Sequence, residues 1–242
     1  MKIAARTDIG KVRKQNQDSF GFGELPGGAA WVVVCDGMGG AAAGNIASEE
    51  AVKILSSKIN ATYREEMKIN AIRNMLLSSM EAANIMLYDK ATSNPELTGM
   101  GTTAVAAIFR QEAAFIASVG DSRAYIRSGD ILSQLTRDHS LVQAMVENGE
   151  ITQSQAKRHP SKHIITRALG TDESVEADYF EEYFGQEDLC LMCTDGLTNF
   201  VDNEDILRLI KTAGFYELAD KLIEAANAKG GGDNITAVTV SH

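Results

Sequence analysis

Apolar positions recur along the chain in two rhythms. Short runs rich in β-branched or aromatic residues, bounded by Gly, Asp or Asn, predict strands over residues 18–22, 30–35, 103–109, 113–119, 122–127, 188–193 and 235–240. A helical rhythm replaces this one in the first half. Ala47, Ala51, Leu55 and Ile59 are spaced four apart, and Ile69, Ile72, Leu76, Met80, Ala83 and Leu87 follow at three or four, predicting a long helix from about residue 66 to 91. Ser140-x-x-Gln143 and Thr152-x-x-Gln155 each resemble a capping box, so two short helices are expected between 140 and 158. Residues 205–212 and 216–228 read as a closing helical pair. Met75, Met80 and Met86 lie along the long helix and are expected to fill core. Strands at both ends with helices between them make an α+β fold.

Composition narrows the classes. The 242 residues hold three prolines and show no low-complexity linker or fixed-period repeat, so one domain spanning 1–242 is expected. Lys and Arg number 23 against 33 Asp and Glu, a net charge of −10, the wrong sign for gripping a nucleic-acid backbone. Cys35, Cys190 and Cys193 are an odd set inside apolar runs, which suits a reducing compartment better than a disulfide framework. Arg6 and Asp8 interrupt the N-terminus before an apolar leader segment forms, and no uncharged stretch reaches the ~20 residues of a membrane span. A soluble cytoplasmic protein is expected.

Two motifs match well-known chemistry in the wrong context. Gly99-Met100-Gly101-Thr102-Thr103-Ala104 fits G-x-G-x-x-A, yet it opens a strand-like run where dinucleotide binding needs a helix. Cys190-Leu191-Met192-Cys193 fits C-x-x-C, yet it lies within an apolar run without a second pair, so core packing is expected. The cysteine-phosphatase spacing C-x5-R, the pair D-x-D, the P-loop and H-E-x-x-H are all absent, and the four histidines lack metal-ligand spacing.

Four aspartates share one context, each beside an apolar run and a glycine or asparagine: Asp36, Asp121, Asp195 and Asp233. Singly, each is an ordinary turn residue. If the strands are neighbours, their ends bring the carboxylates together, and two carboxylates ~4 Å apart repel by about 4 kcal/mol at an effective dielectric of 20. Protonation or bound cations must offset that. Oxygen ligands without histidine or thiolate select Mg²⁺ or Mn²⁺. Gly37 and Gly196 leave room for carbonyls and waters where a Cβ would obstruct. Two such ions would make a hydrolytic site for phosphoryl groups.

The residues resemble a family at this point, the metal-dependent protein phosphatases of the 2C type in their compact bacterial form. Eight motifs appear in the family's order: Gly10-x-x-Arg13-x-x-Asn16-x-Asp18, Asp36-Gly37-Met38-Gly39-Gly40, Gly99-Met100-Gly101-Thr102-Thr103, Gly120-Asp121-Ser122-Arg123, Leu135-Thr136-x-Asp138-His139-Ser140, Thr166-Arg167-Ala168-Leu169-Gly170, Thr194-Asp195-Gly196-Leu197 and Asp233-Asn234. The resemblance implies a four-layer αββα sandwich, two antiparallel sheets packed face to face with a helical pair outside each, and a helical flap at about 140–166. It implies a Ser/Thr phosphoprotein phosphatase in which a metal-bridging hydroxide attacks phosphorus without a phosphoenzyme. Asp36, Asp195 and Asp233 would hold the first Mg²⁺ or Mn²⁺, Asp36 and the Gly37 carbonyl the second, and Asp121 with Asp195 a third, weaker ion. Asp18 would orient water and Arg13 hold the substrate phosphate. Its opponent would be a cytoplasmic Ser/Thr kinase.

The chain departs from the family pattern twice. Gln17 stands where Glu is frequent, and Met38 where eukaryotic members carry a histidine read as general acid. His139 and His163 are candidates for that proton, although surface or packing roles fit each better. Lys157, Arg158, His159, Lys162, His163 and Arg167 make a basic stretch in an acidic protein. It reads either as a solvated face or as a lip for acidic phosphopeptides, with Lys157, Arg158 and His163 as substrate-binding candidates. Other classes stay open: a catalytically weak scaffold or sensor on the same fold, or a two-metal nuclease or small-phosphate hydrolase, which the acidic charge and 6% aromatic content disfavour.

Overall fold

The computed structural model describes residues 1–39 and 43–242. Gly40, the end of the Asp36–Gly40 motif, therefore lies outside the described residues. Three strands come first, β1 (Lys2–Asp8), β2 (Asp18–Leu25) and β3 (Ala29–Met38), then two long helices, α1 (Ala43–Thr62) and α2 (Ile69–Ser93). The middle of the chain adds β4 (Gly101–Thr102), β5 (Ala104–Arg110), β6 (Ala113–Val119), β7 (Arg123–Ser128) and β8 (Ile131–Gln134). Two short helices, α3 (Leu141–Glu147) and α4 (Gln153–Ala156), precede β9 (Asp178–Tyr183) and β10 (Leu189–Cys193). The chain closes with α5 (Asp195–Thr198), α6 (Asn203–Thr212), α7 (Phe215–Ala228) and β11 (Ile235–Ser241).

All pairings are antiparallel. One sheet runs β2-β3-β5-β6-β9, with β4 pairing the end of β3; the other runs β1-β11-β10-β7-β8. The period-two alternation of the strands decides the layers. Val32 and Val34 point one way, joining Val105, Ile116, Ile126, Met192 and Val238 in a core between the sheets. Trp31, Val33 and Cys35 point the other way, onto Ala47, Leu55, Leu76 and Met80 of α1 and α2. The second sheet does the same: Leu189, Leu191 and Cys193 pack on Ile206, Leu218 and Leu222 of α6 and α7. Helix, sheet, sheet, helix is the expected four-layer order. No helix among the described residues is long and apolar enough to cross a membrane.

Met75 and Met80 fill core as expected, Met86 is 53% exposed instead, and the structure otherwise departs from expectation mainly at edges. β1, β8 and β9 are absent from the hydrophobic pattern, and each is an edge strand with little apolar burial to announce it; Ile131 of β8 is 68% exposed. The two capping boxes differ. Thr152 and Gln155 make the full reciprocal pair, whereas Ser140 accepts from Gln143 N–H while the Gln143 side chain turns to Glu147. Cys190 and Cys193 face opposite sides of β10, both free and buried, so the C-x-x-C spacing is core packing. Gly99–Thr103 holds β4 and runs into strand β5, so no helix follows it as dinucleotide binding needs.

A buried amide closes the fold near Gly170. Asn84 of α2 accepts from Gly170 N–H at 2.8 Å and donates to the carbonyls of Asp172 (3.0 Å) and Glu173 (3.3 Å). Asn84→Ala would strand the buried Gly170 donor, so urea unfolding should show a loss of about 1–3 kcal/mol. A change below a few tenths would mean that the loop finds other partners.

Candidate active site

The hairpin β2–β3 sets Asp18 opposite Asp36 in register, and the rest of the site assembles around that pair. Asp36 lies inside its strand, two residues before the end, because β4 extends the pairing through Gly37↔Thr102. Thr103 clamps it from both sides: Thr103 Oγ1 accepts Asp36 N–H (2.9 Å), and Asp36 C=O accepts Thr103 N–H (2.9 Å). Asp121 follows β6, Asp195 opens α5 just beyond β10, and Asp233 precedes β11 by two residues. At the first position of a helix a carboxylate meets exposed backbone N–H groups, a favourable place for negative charge. Asn199, one turn on, donates to Asp195 Oδ2 at 2.7 Å.

Asp18 sits beneath, 7% exposed, and joins the two sheets. Its Oδ2 accepts hydroxyl protons from Thr194 (2.8 Å) and Thr236 (2.7 Å). The proton bookkeeping is closed. Thr194 Oγ1 accepts Thr236 N–H (3.0 Å), Thr236 Oγ1 accepts from Thr7, and Thr7 accepts from Asn16 Nδ2 (2.9 Å). Oδ1 alone has no partner and is buried, which leaves it as the atom for a proton or a polar ligand.

One cleft of about 450 Å³ is lined by Arg13, Asp36, Gly37, Asp121, Asp195, Asp233 and His163. Arg13 reaches it half-exposed and is paired through Nη2 with Asp233 Oδ2 at 2.8 Å. A second cavity of about 590 Å³ adjoins across Asp121 and Asp195, and Lys157 and Lys162 line it. Arg158 is exposed and lines neither. His139 is buried away from both, held by Gly120 and Asp178.

The glycines admit backbone carbonyls, as expected, and the carbonyls are those of distant segments of the chain. A Cβ on Gly37 would stand 2.0 Å from the Gly44 carbonyl, and one on Gly196 1.8 Å from that of Asn234. The space serves the protein's own backbone, which packs α1 and the approach to β11 against the site. Asn234 ties that approach down: it accepts Gln17 N–H and donates to the Ile9 and Gln15 carbonyls. The Gln17 side chain lies against Gly44 at the start of α1. Sequence reasoning left Asn199 and Thr236 unmentioned and assigned no role to Thr103, Thr194 or Asn234, although those three stand inside the quoted motifs.

Burial is the first cause of the site's electrostatics. It raises Asp18 to about 7 against the restraint of its two hydroxyl donors. Asp36, Asp121 and Asp195 are raised for the same reason, reinforced chiefly by Asp18, Asp195 and Asp233 respectively. A cleft lined by four carboxylates and no thiolate, with the unpartnered Asp18 Oδ1 buried beneath it, fits hard divalent cations. Among the described residues, no three His, Cys, Asp or Glu side chains gather closely enough to hold an ion unaided. Waters would have to complete the shell of any ion bound there, as Mg²⁺ in particular prefers.

The family model described as Protein phosphatase 2C matches residues 11–236. Serine/threonine phosphatase stp of Listeria innocua serovar 6a is 44% identical over 243 residues, covering 99% of this chain and 95% of that protein. The structure of serine/threonine phosphatase Stp1 from Staphylococcus aureus is similar with a TM-score of 0.93 at 34% identity, covering 100% and 94% of the two chains. The catalytic domain of serine/threonine protein phosphatase PstP, in complex with two manganese ions, gives 0.84 at 33% identity, covering 98% and 96%.

Raised carboxyls make the metal-free folded protein bind more protons than the unfolded chain. Its stability should therefore fall as pH rises from about 4 to about 7, with Asp18 alone contributing up to ~1.4 kcal/mol per pH unit. His139, whose burial disfavours the charged ring, works against this trend on the acid side, as do Asp130, Glu147 and Asp205, held low by Lys211, Arg137 and Lys229, but those three are exposed ion pairs that water screens. Melting in EDTA should show the decline, Mg²⁺ should flatten it, and Asp18→Asn should reduce it. A melting temperature independent of pH in EDTA would refute the electrostatic account.

Proposed function

The chain belongs to the protein phosphatase 2C family and is a serine/threonine phosphatase of that type, and on that premise we propose that its four-aspartate cleft hydrolyses phosphoserine and phosphothreonine in proteins by direct attack of water on phosphorus. The observation that carries this reading is the gathering of Asp36, Asp121, Asp195 and Asp233 around one cleft with Arg13 at its edge. Bound Mg²⁺ or Mn²⁺ would supply a water acidic enough to attack at neutral pH and positive charge for the phosphoryl oxygens.

Each side chain then has a task. Asp36, Asp195 and Asp233 would hold one cation with waters completing its shell, Asp36 and the Gly37 carbonyl a second, and Asp121 with Asp195 a weaker third. Arg13, half-exposed at the cleft edge beside Asp233, would hold the substrate phosphate, for which its planar fork suits two phosphoryl oxygens. Asp18, with Oδ2 saturated, presents Oδ1 to water. Met38 carries no proton to give, and His139 has both ring nitrogens engaged, which leaves solvent water, with His163 at the cleft wall, to protonate the departing serine or threonine oxygen. The segment 140–166 acts as a flap whose lysines face the adjoining cavity. Lys157 and Lys162 there, with Arg158 outside and His163 at the cleft, form a basic lip for acidic phosphopeptides. Three free, buried cysteines support action in the reducing cytoplasm, opposite a Ser/Thr kinase.

Hydrolysis of p-nitrophenyl phosphate and a phosphothreonine peptide should appear with Mn²⁺ or Mg²⁺, vanish in EDTA, and fall at least about a hundredfold in Asp195→Ala. Folded protein without turnover under either metal would defeat the reading. For the lip, Lys157→Gln, Arg158→Gln and Lys162→Gln combined should cut kcat/KM for an acidic phosphopeptide about three- to tenfold relative to a neutral one at low salt. An unchanged ratio would show the basic stretch to be a solvated face.

A further inference from the structure

His139 has no part in the proposed hydrolysis yet is buried, 4% exposed between the cleft and the flap. Its Nδ1 accepts Gly120 N–H at 3.1 Å, and its own N–H donates to the Gly120 carbonyl at 2.9 Å. A backbone N–H can only donate, so Nδ1 carries no proton and the neutral ring has its hydrogen on Nε2. Nε2 lies 3.2 Å from Asp178 Oδ2, which accepts. Arg167 Nη1, another donor, is 3.3 Å from Nε2 and binds Asp178 Oδ1 at 3.1 Å instead. The His139 carbonyl accepts Thr166 N–H at 2.8 Å, where the flap segment ends. One residue thus touches the turn before Asp121, the end of the flap, and the first residue of β9.

The turn it holds needs holding. Gly120 has φ +101°, and a Cβ there would meet Thr103 Cγ2 at 2.5 Å, so the turn is both left-handed and tightly packed. Its N–H sits where burial makes an unmade hydrogen bond costly.

We propose that His139 is a positioning residue with two arms: Nδ1 fixes the Gly120–Asp121 turn, and Nε2, through Asp178 and Arg167, ties that turn to the end of the flap. The functional consequence rests on reading Asp121 as a cation ligand. Substrate contacts that move the flap are then felt at Asp121.

Two substitutions separate the arms, because an amide can copy one nitrogen at a time. His139→Asn sets an acceptor near the Nδ1 position and falls short of Asp178. His139→Gln sets a donor near Nε2 and removes the acceptor for Gly120. Hydrogen exchange of the metal-free protein should show Gly120 about tenfold faster in His139→Gln and near wild type in His139→Asn. Calorimetric Mn²⁺ titration should show the weakest binding step reduced several-fold in His139→Gln only. His139→Asn should raise KM for a phosphopeptide several-fold while leaving KM for p-nitrophenyl phosphate unchanged. Equal exchange at Gly120 in the two variants, whether fast or slow, overturns the two-arm arrangement. Asp121→Asn serves as the separate control: if it leaves the Mn²⁺ titration unchanged, the reading of Asp121 falls, while exchange at Gly120 still decides the role of His139.

Discussion

Like charges must be kept together in this molecule, and most of its polar architecture follows from that constraint. Aspartates from separate connections line one cleft, and burial raises three of the four that line it. Left to themselves they would turn outward to water. Each is instead held through its backbone or by a neighbour: Asp36 by Thr103, Asp195 by Asn199, Asp233 by Asn234 N–H and Arg13, and Asp121 through the turn that His139 supports. The folded frame holds that repulsion in place.

The frame comes from two sheets packed face to face, whose strand ends reach the site. Hydrophobic packing supplies adhesion between them but is non-directional. Direction comes from the hydroxyl chain through Thr7, Thr236 and Thr194 to Asp18, which crosses from one sheet to the other with every proton assigned. The same contact therefore orders the sandwich and leaves one carboxylate oxygen free for chemistry.

The central strands and long helices were legible in the sequence because both faces of those strands are buried and the helices carry regular apolar stripes. The edges were not. β9, with the sequence Asp-Tyr-Phe-Glu-Glu-Tyr, hides its pairing behind acidic residues, and β1 has only Ile3 and Ala5 half-buried on its inner face. The aspartates are legible through their glycine and asparagine neighbours, but which carbonyls those glycines admit is not. Gly37 and Gly196 admit the protein's own carbonyls, a relation between positions far apart in the chain that no local pattern reveals. Asn199 and Thr236 share this difficulty: a lone polar residue in a helix or strand looks like solvent-facing filler until its partner is seen.

The pairing of Asp18 with Asp36 also makes the β2–β3 hairpin a ruler. Its turn at Pro26–Gly28 lies at the far end of the hairpin, where Leu25 faces Ala29, and the two aspartates are the last rung counted from it. A strand's faces alternate at every residue, so a single insertion or deletion in that turn that shifted the register would swing Val32 and Val34 out of the core and dissolve the Asp18–Asp36 rung together. Length change at this distant corner is thus forbidden twice over, by packing and by chemistry. Loops whose strands bear no cleft residue answer to packing alone, and drift in chain length over a lineage should collect in them.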